Sequence, residues 1–164
     1  LEELAATVSS SRYRFPRPMV RSSSVPGDAD YYDLSFSGLK TAVLTAVRGI
    51  EADGDDVVPQ RAALARAFQD SMIDTLVEKT ERAARAFKRK RIVIGGGVSC
   101  NTALQKVMQA KFAARGAVVY APSPRLATDN AAMIAAAGIF RMAAGDRASL
   151  SLTAQATMPI PGLL

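Results

Sequence analysis

Between residues 91 and 144 the sequence changes hydrophobic period at short intervals, and this alternation limits the folds open to the chain more than any other feature. "RIVI" (91–94) is a run of apolar β-formers, "GGG" (95–97) breaks it, and Asn101 opens an amphipathic stretch that continues to about residue 114. A second strand is expected over 117–120, a turn over "APSPRLA", and a helix from Thr128 to about Ala144. Strands alternating with helices build an α/β sheet, with right-handed crossovers wherever neighbouring strands are parallel. Ligands in such sheets collect at the C-terminal ends of the strands. Residues 95–99 and 121–130 are two such ends.

Upstream the organisation is looser. "LEELAAT" is in helical rhythm from its first residue, with Leu1, Leu4 and Ala5 on one side and Glu2 and Glu3 off it. A start at Leu1 in mid-rhythm reads as a fragment or processed piece of a longer protein. The Ser-, Pro- and Gly-rich stretch 9–32 reads as a long connecting loop. "YDLSFSGLKTAVLTAVRGI" predicts a short strand, a Ser-Gly break and a helix with Leu39, Val43, Ala46 and Val47 on one side, ended by "EADGDDVVP". From Gln60 to about Phe87, residues Leu64, Phe68, Met72, Leu76, Ala83 and Phe87 recur at helical spacing and predict a long amphipathic helix. The chain thus divides into a partial helix and loop (1–32), an α/β nucleotide- or substrate-binding domain (33–145) and a C-terminal tail (146–164).

Charge bears on the partner. A net charge of +6 favours an anionic partner such as nucleic acid, because clustered cations displace condensed counterions. The cations gather at Arg12, Arg14, Arg17 and Arg21 in the loop, and at Lys88, Arg89, Lys90 and Arg91 at the expected end of the long helix. The second group is better explained by solvated cations complementing a helix C-terminus than by contact with nucleic acid. Cys100 is the only cysteine, so the chain has no internal disulfide, which suits a reducing compartment. No apolar run of spanning length and no basic-then-apolar leader are present, so a cytoplasmic protein without membrane contact is expected.

The glycine turn has two readings. Free φ angles and exposed amides at Gly95, Gly96 and Gly97, with the helix N-terminus behind them, would receive phosphate oxygens or a ribose, fixed by Asn101. Alternatively the glycines only permit tight strand-to-helix packing and Asn101 is an N-cap. No Lys-Ser/Thr follows, so this is not a Walker loop. Asp129 is likewise either a helix cap or a metal ligand. The chain has no His, which excludes a locally completed transition-metal site and a Ser-His-Asp triad within it.

Four motifs in order, "FPRPM" (Phe15 to Met19), "DLSFSGLKT" (Asp33 to Thr41), "GGVSCN" (Gly96 to Asn101) and "ATDNAAMIAAAG" (Ala127 to Gly138), resemble the C-terminal half of the bacterial TsaD family, the tRNA threonylcarbamoyladenosine-forming enzymes formerly described as glycoproteases. The resemblance covers essentially the whole chain. It implies a ribonuclease H-like domain of the sugar kinase, Hsp70 and actin type with additional helices. It implies transfer of threonylcarbamoyl from threonylcarbamoyl-adenylate to the tRNA adenosine beside the anticodon. The family's nucleotide-binding motif falls on Gly96, Gly97 and Asn101, and its metal-binding Asp on Asp129. The divalent metal, iron or zinc, is completed in the family by two His of an HxxxH motif in the N-terminal half, which this chain lacks. The fragment alone is therefore expected to be inactive. A companion paralogue and an ATPase partner are also implied. Two rivals follow from the same superfamily: an ATP-dependent kinase, and a non-catalytic paralogue acting as a partner subunit.

Overall fold

The computed structural model describes residues 1–20, 25–28 and 30–154, and it divides into two units, 1–128 and 129–164. In the first unit the elements run α1 (Glu2–Ala6), α2 (Ser37–Ala52), α3 (Arg61–Ala86), β1 (Arg91–Val93), α4 (Thr102–Ala113), β2 (Val118–Tyr120) and α5 (Pro124–Ala127). Short 3-10 turns at Val58–Gln60 and Gly97–Cys100 lead into α3 and α4. The second unit contributes α6 (Ala131–Ala143). The architecture is α/β: β1 and β2 are parallel, with Arg91 opposite Val118, Ile92 opposite Val119 and Val93 opposite Tyr120.

The 26 residues of α3 organise the first unit. Its Ile73 and Val77 pack with Leu104, Met108 and Phe112 of α4 and with Ala117, and the inward residues Ile92, Ile94 and Val119 of the sheet close that cluster. Further up the same helix, Leu64 and Ala67 pack with Leu39 and Ile50 of α2 and with Phe15 of the loop. The alternation of strand side chains is legible in the burial: Ile92 and Val119 face the core, whereas Val93 and Tyr120 face out.

The loop is tied to α3 by polar contacts, one of them to a buried lysine. Ser71 donates its hydroxyl to the Pro16 carbonyl, and Arg17 pairs with Asp74 at 2.6 Å. Lys79 is buried, and its Nζ donates to the carbonyls of Asp30 (2.5 Å) and Tyr31 (2.9 Å). Burial first, and the neighbouring Arg82 second, push its pKa down.

Several expectations need correction. Residues 33–36 form no strand, and α2 starts at Ser37 with Gly38 inside its first turn, so there is no Ser-Gly break. A strand needs a ladder partner, and Phe36 instead packs on the α2–α3 cluster. Phe87 is 60% exposed rather than core, because α3 ends before it. Of the first helix's expected apolar side only Ala5 is buried. The final helix starts at Ala131, not Thr128, and the turn before it contains the single helical turn α5 with Pro124 at its start. Arg21 and residues 155–164 of the expected tail lie outside the described residues. Among the described residues no helix is long and apolar enough to cross a membrane.

Candidate functional site

The C-terminal end of β1 runs straight into the glycine turn. Ile94 still donates to the Tyr120 carbonyl at 2.9 Å, and the ladder stops there. Gly96 then adopts φ 78, which an L side chain rarely tolerates, so this position requires glycine. Its carbonyl is drawn inward by Ser99, whose backbone N–H (3.0 Å) and hydroxyl (2.7 Å) both donate to it. A Cβ placed on Gly95 or Gly96 would meet nothing within 4 Å, and one on Gly97 would meet only Thr128 Cγ2 at 3.6 Å, an ordinary contact. Packing within the described residues therefore does not explain the three glycines. They leave an open stretch of backbone whose amides, at Gly95, Gly96 and Gly97, have no acceptor among the described residues.

Asn101 connects this turn to α4 and is the helix N-cap: its Oδ1 accepts the Leu104 N–H at 2.8 Å. Its Nδ2 donates to Oε1 of buried Gln69 on α3 at 2.9 Å, and Gln105 donates to the Ser99 carbonyl at 2.7 Å. The rest of the α4 N-terminus is already taken. Glu2 Oε1 accepts from the Thr102 backbone N–H (2.7 Å) and hydroxyl (2.5 Å). The hydrogen bond from Thr102 holds the Glu2 carboxyl below its ordinary value, against a smaller opposing effect of burial. A carboxylate thus sits where the sequence reading put a phosphate, and the donors that remain for an anion are those of the glycine turn. Glu2, Gln69 and Gln105 were missed by sequence reasoning; Glu2 acts on a residue a hundred positions away, and no local pattern marks such a contact.

Beside the turn, α5 closes the second strand end. Ala127 and Ser99 are buried, and the Cys100 thiol lies 3.9 Å from the Pro124 carbonyl. Cys100 is half-buried, a filler at this contact. Gly96, Gly97 and Asn101 are thereby brought together in one unit. Asp129 opens the second unit and is described within it. There the cap of α6 is Asn130, whose Oδ1 accepts the Met133 N–H at 3.0 Å, and not Asp129. The capping reading of Asp129 is set aside by this geometry. Its carboxylate is exposed and makes no hydrogen bond or ion pair among the described residues. No group of three His, Cys, Asp or Glu side chains that could hold a metal gathers among the described residues. A metal using Asp129 would need its other ligands from elsewhere.

The loop cations are partly spent on structure. Arg17 holds Asp74 and the Phe15 carbonyl (2.8 Å), and Arg12 donates to the Tyr13 hydroxyl at 3.1 Å. Arg14 is exposed.

Residues 1–136 match the family model for TsaD, described as tRNA N6-adenosine threonylcarbamoyltransferase. Three curated proteins of that description are similar to the chain. The one from Gemmatimonas aurantiaca is 59% identical over 170 aligned residues, covering 100% of the chain and 47% of that protein. The one from Ralstonia pickettii is 46% identical, covering 80% of the chain and 36% of that protein. The one from Geobacter sulfurreducens is 39% identical, covering 98% and 44%. The chain spans less than half the length of each.

Proposed function

The chain belongs to the TsaD family of tRNA N6-adenosine threonylcarbamoyltransferases, and from that membership we propose that it is the C-terminal part of such an enzyme. The complete protein would transfer threonylcarbamoyl from threonylcarbamoyl-adenylate to the tRNA adenosine beside the anticodon, in the cytoplasm. The observation that carries this reading is the extent of the family match, 1–136, which takes in both the glycine turn and Asp129. The parallel β1–α4–β2 unit supports a ribonuclease H-like domain.

On this reading each part has its task. The unsatisfied amides of Gly95 to Gly97 bind phosphate or ribose oxygens of the adenylate, which no side chain obstructs. Asn101 holds the turn against α3 through Gln69 and keeps one amide hydrogen for the ligand. Asp129, released from capping by Asn130, fits as the anionic ligand of a divalent metal, iron or zinc. With no His in the chain, imidazole ligands come from a segment outside it, and the chain alone is inactive. A cation held by Asp129 would supply Lewis-acid polarisation to an oxygen that binds it. A companion paralogue and an ATPase partner belong to the same reading.

The test uses a polypeptide of the relatives' full length carrying Asp129→Asn. Retained melting temperature with loss of both metal and transfer to tRNA is expected, because a neutral amide replaces the anionic donor. Full metal occupancy with full transfer would remove Asp129 from the site.

A further inference from the structure

The end of α3 carries a cluster that the proposed chemistry does not use. Arg85, Lys88, Arg89, Lys90 and Arg115 line an open hollow of about 230 Å3 against a single carboxylate, Glu81, with Ala84, Phe112 and Ala117 as its apolar floor. Glu81 is buried and already engaged: Lys111 reaches it at 2.5 Å, Arg115 contacts it directly, and Arg85 lies at 3.8 Å. Lys88, Arg89 and Lys90 are exposed and make no ion pair among the described residues.

Service to the helix dipole does not account for this cluster. One or two cations beside the C-terminus at Ala86 would complement the dipole, and Lys88, Arg89 and Lys90 together with Arg85 exceed that need. The backbone makes the point more sharply. The helix closes with the Arg89 N–H on the Ala84 carbonyl (2.8 Å) and the Lys88 N–H on the Arg85 carbonyl (3.2 Å), which puts Lys88 at φ 52. This is the left-handed position where glycine is favoured and a lysine costs stability. A mutually repelling set of cations, one of them in an unfavourable backbone conformation, costs the fold stability. Next to it, Phe87 is 60% exposed, and its ring lies 5.6 Å from that of Tyr32.

We propose that this hollow is a docking surface for the phosphodiester backbone of RNA, with Phe87 and Tyr32 as a flanking platform for an unstacked base. Arg forks and Lys point charges take phosphate oxygens, while exposed aromatic faces take bases. Cations beside an exposed aromatic suit either RNA or a lipid surface, and the match to a tRNA-modifying family selects RNA. The inference rests on the tRNA-modifying reading above and extends it to a surface away from the glycine turn.

The experiment measures tRNA affinity by fluorescence anisotropy over a range of salt concentrations, in the full-length polypeptide. Wild type is compared with Lys88→Gly and with the double variant Arg89→Ala/Lys90→Ala. Lys88→Gly separates the roles: it relieves the backbone and should raise Tm by about 2 °C, while weakening tRNA binding about three- to tenfold. The log–log salt slope should fall by about 1 per lost contact, equally for a tRNA lacking the target adenosine. The double variant should lose more of both. Unchanged affinity and slope in both variants, with transfer activity intact, would overturn the surface and leave the transferase reading standing. Weakened tRNA binding in an enzyme that transfers no threonylcarbamoyl would support the surface and overturn that reading. Loss of binding to phosphatidylserine vesicles with tRNA binding unchanged would overturn RNA as the occupant.

Discussion

Two helices of this molecule invert the ordinary relation between polarity and burial. α3 carries charge along its whole length, yet Gln69, Ser71, Thr75, Lys79 and Glu81 are all buried within it. α6 has one charged residue, Arg141, and no buried residue, with Ile134 72% and Phe140 76% exposed. The difference teaches what burial requires. Each of these five residues has a partner at hand: Gln69 with Asn101, Ser71 with the Pro16 carbonyl, Thr75 with the Ser71 carbonyl at 2.8 Å, Lys79 with two loop carbonyls, and Glu81 with three cations. Satisfied in this way, polar side chains can sit at the centre of a fold. The apolar side chains of α6 are exposed among the described residues, and a contiguous patch of that kind marks an interaction site or an aggregation liability.

The strongest way to break the comparison is to delete one phenylalanine from each region. Phe112 is 1% exposed, at the junction of α3, α4 and the sheet. Phe112→Ala should cost about 3–5 kcal/mol through lost transfer energy and the cavity left behind. Phe140→Ala should change the stability of this chain by less than about 0.5 kcal/mol, because its side chain is already exposed among the described residues. Urea unfolding of the two variants measures both. Comparable losses would mean that α6 is packed as α3 is, and the contrast would fail.

A smaller effect tests whether polar satisfaction is what keeps α3 buried. Burial alone would raise the Glu81 carboxyl, but the hydrogen bond and charge of Lys111, with Arg115 and Arg85, outweigh it and hold the group below its ordinary value. A carboxylate depressed in the folded state stabilises the fold above its unfolded pKa, about 4.3. That contribution is lost as pH falls through the lower, folded value. Glu81→Gln should therefore cost about 1–2 kcal/mol at pH 7, reduced from the fully buried case because its cationic partners are partly exposed. The deficit should shrink toward zero as urea midpoints are followed below pH 4 or so. A deficit independent of pH would assign the loss to shape rather than charge.

How much of this was legible in the sequence depends on the range over which each feature acts. The strand-turn-helix-strand order of 91–120 and the 3.6-residue rhythm of α3 are local patterns, and the structure has both. So is the glycine at the left-handed position 96, although the pattern could not tell which of the three glycines the backbone needs. The supports of the turn were hidden. Glu2 at the N-terminus of α4 and Gln69 beneath Asn101 are long-range contacts from residues unremarkable in their own neighbourhoods. The missing strand at 33–36 has the same cause in reverse: β propensity is local, but a ladder partner is not. Burial of Lys79 and Glu81 was likewise unreadable, since periodicity assigns charged positions to solvent.

The smallest effect separates two adjacent residues at the head of α6 and concerns only what a cap does. Asn130 Oδ1 accepts the Met133 N–H, one of the donors a helix leaves unpaired at its start, whereas Asp129 stands one residue before the cap. Asn130→Ala should destabilise α6 by about 1 kcal/mol and lower the helical circular dichroism signal as the first turn frays. Asp129→Ala removes no capping bond. It gives up only the attraction of a carboxylate to the helix N-terminus, about 0.3–1 kcal/mol and screened by salt. The two variants therefore part company as salt is added: the loss in Asp129→Ala fades, while that in Asn130→Ala persists because a hydrogen bond, not a field, has been removed. Equal, salt-independent losses would make Asp129 a second capping group and reopen the structural explanation for it. A loss confined to Asn130 leaves the Asp129 carboxylate without structural work on α6, as a residue held for a ligand requires.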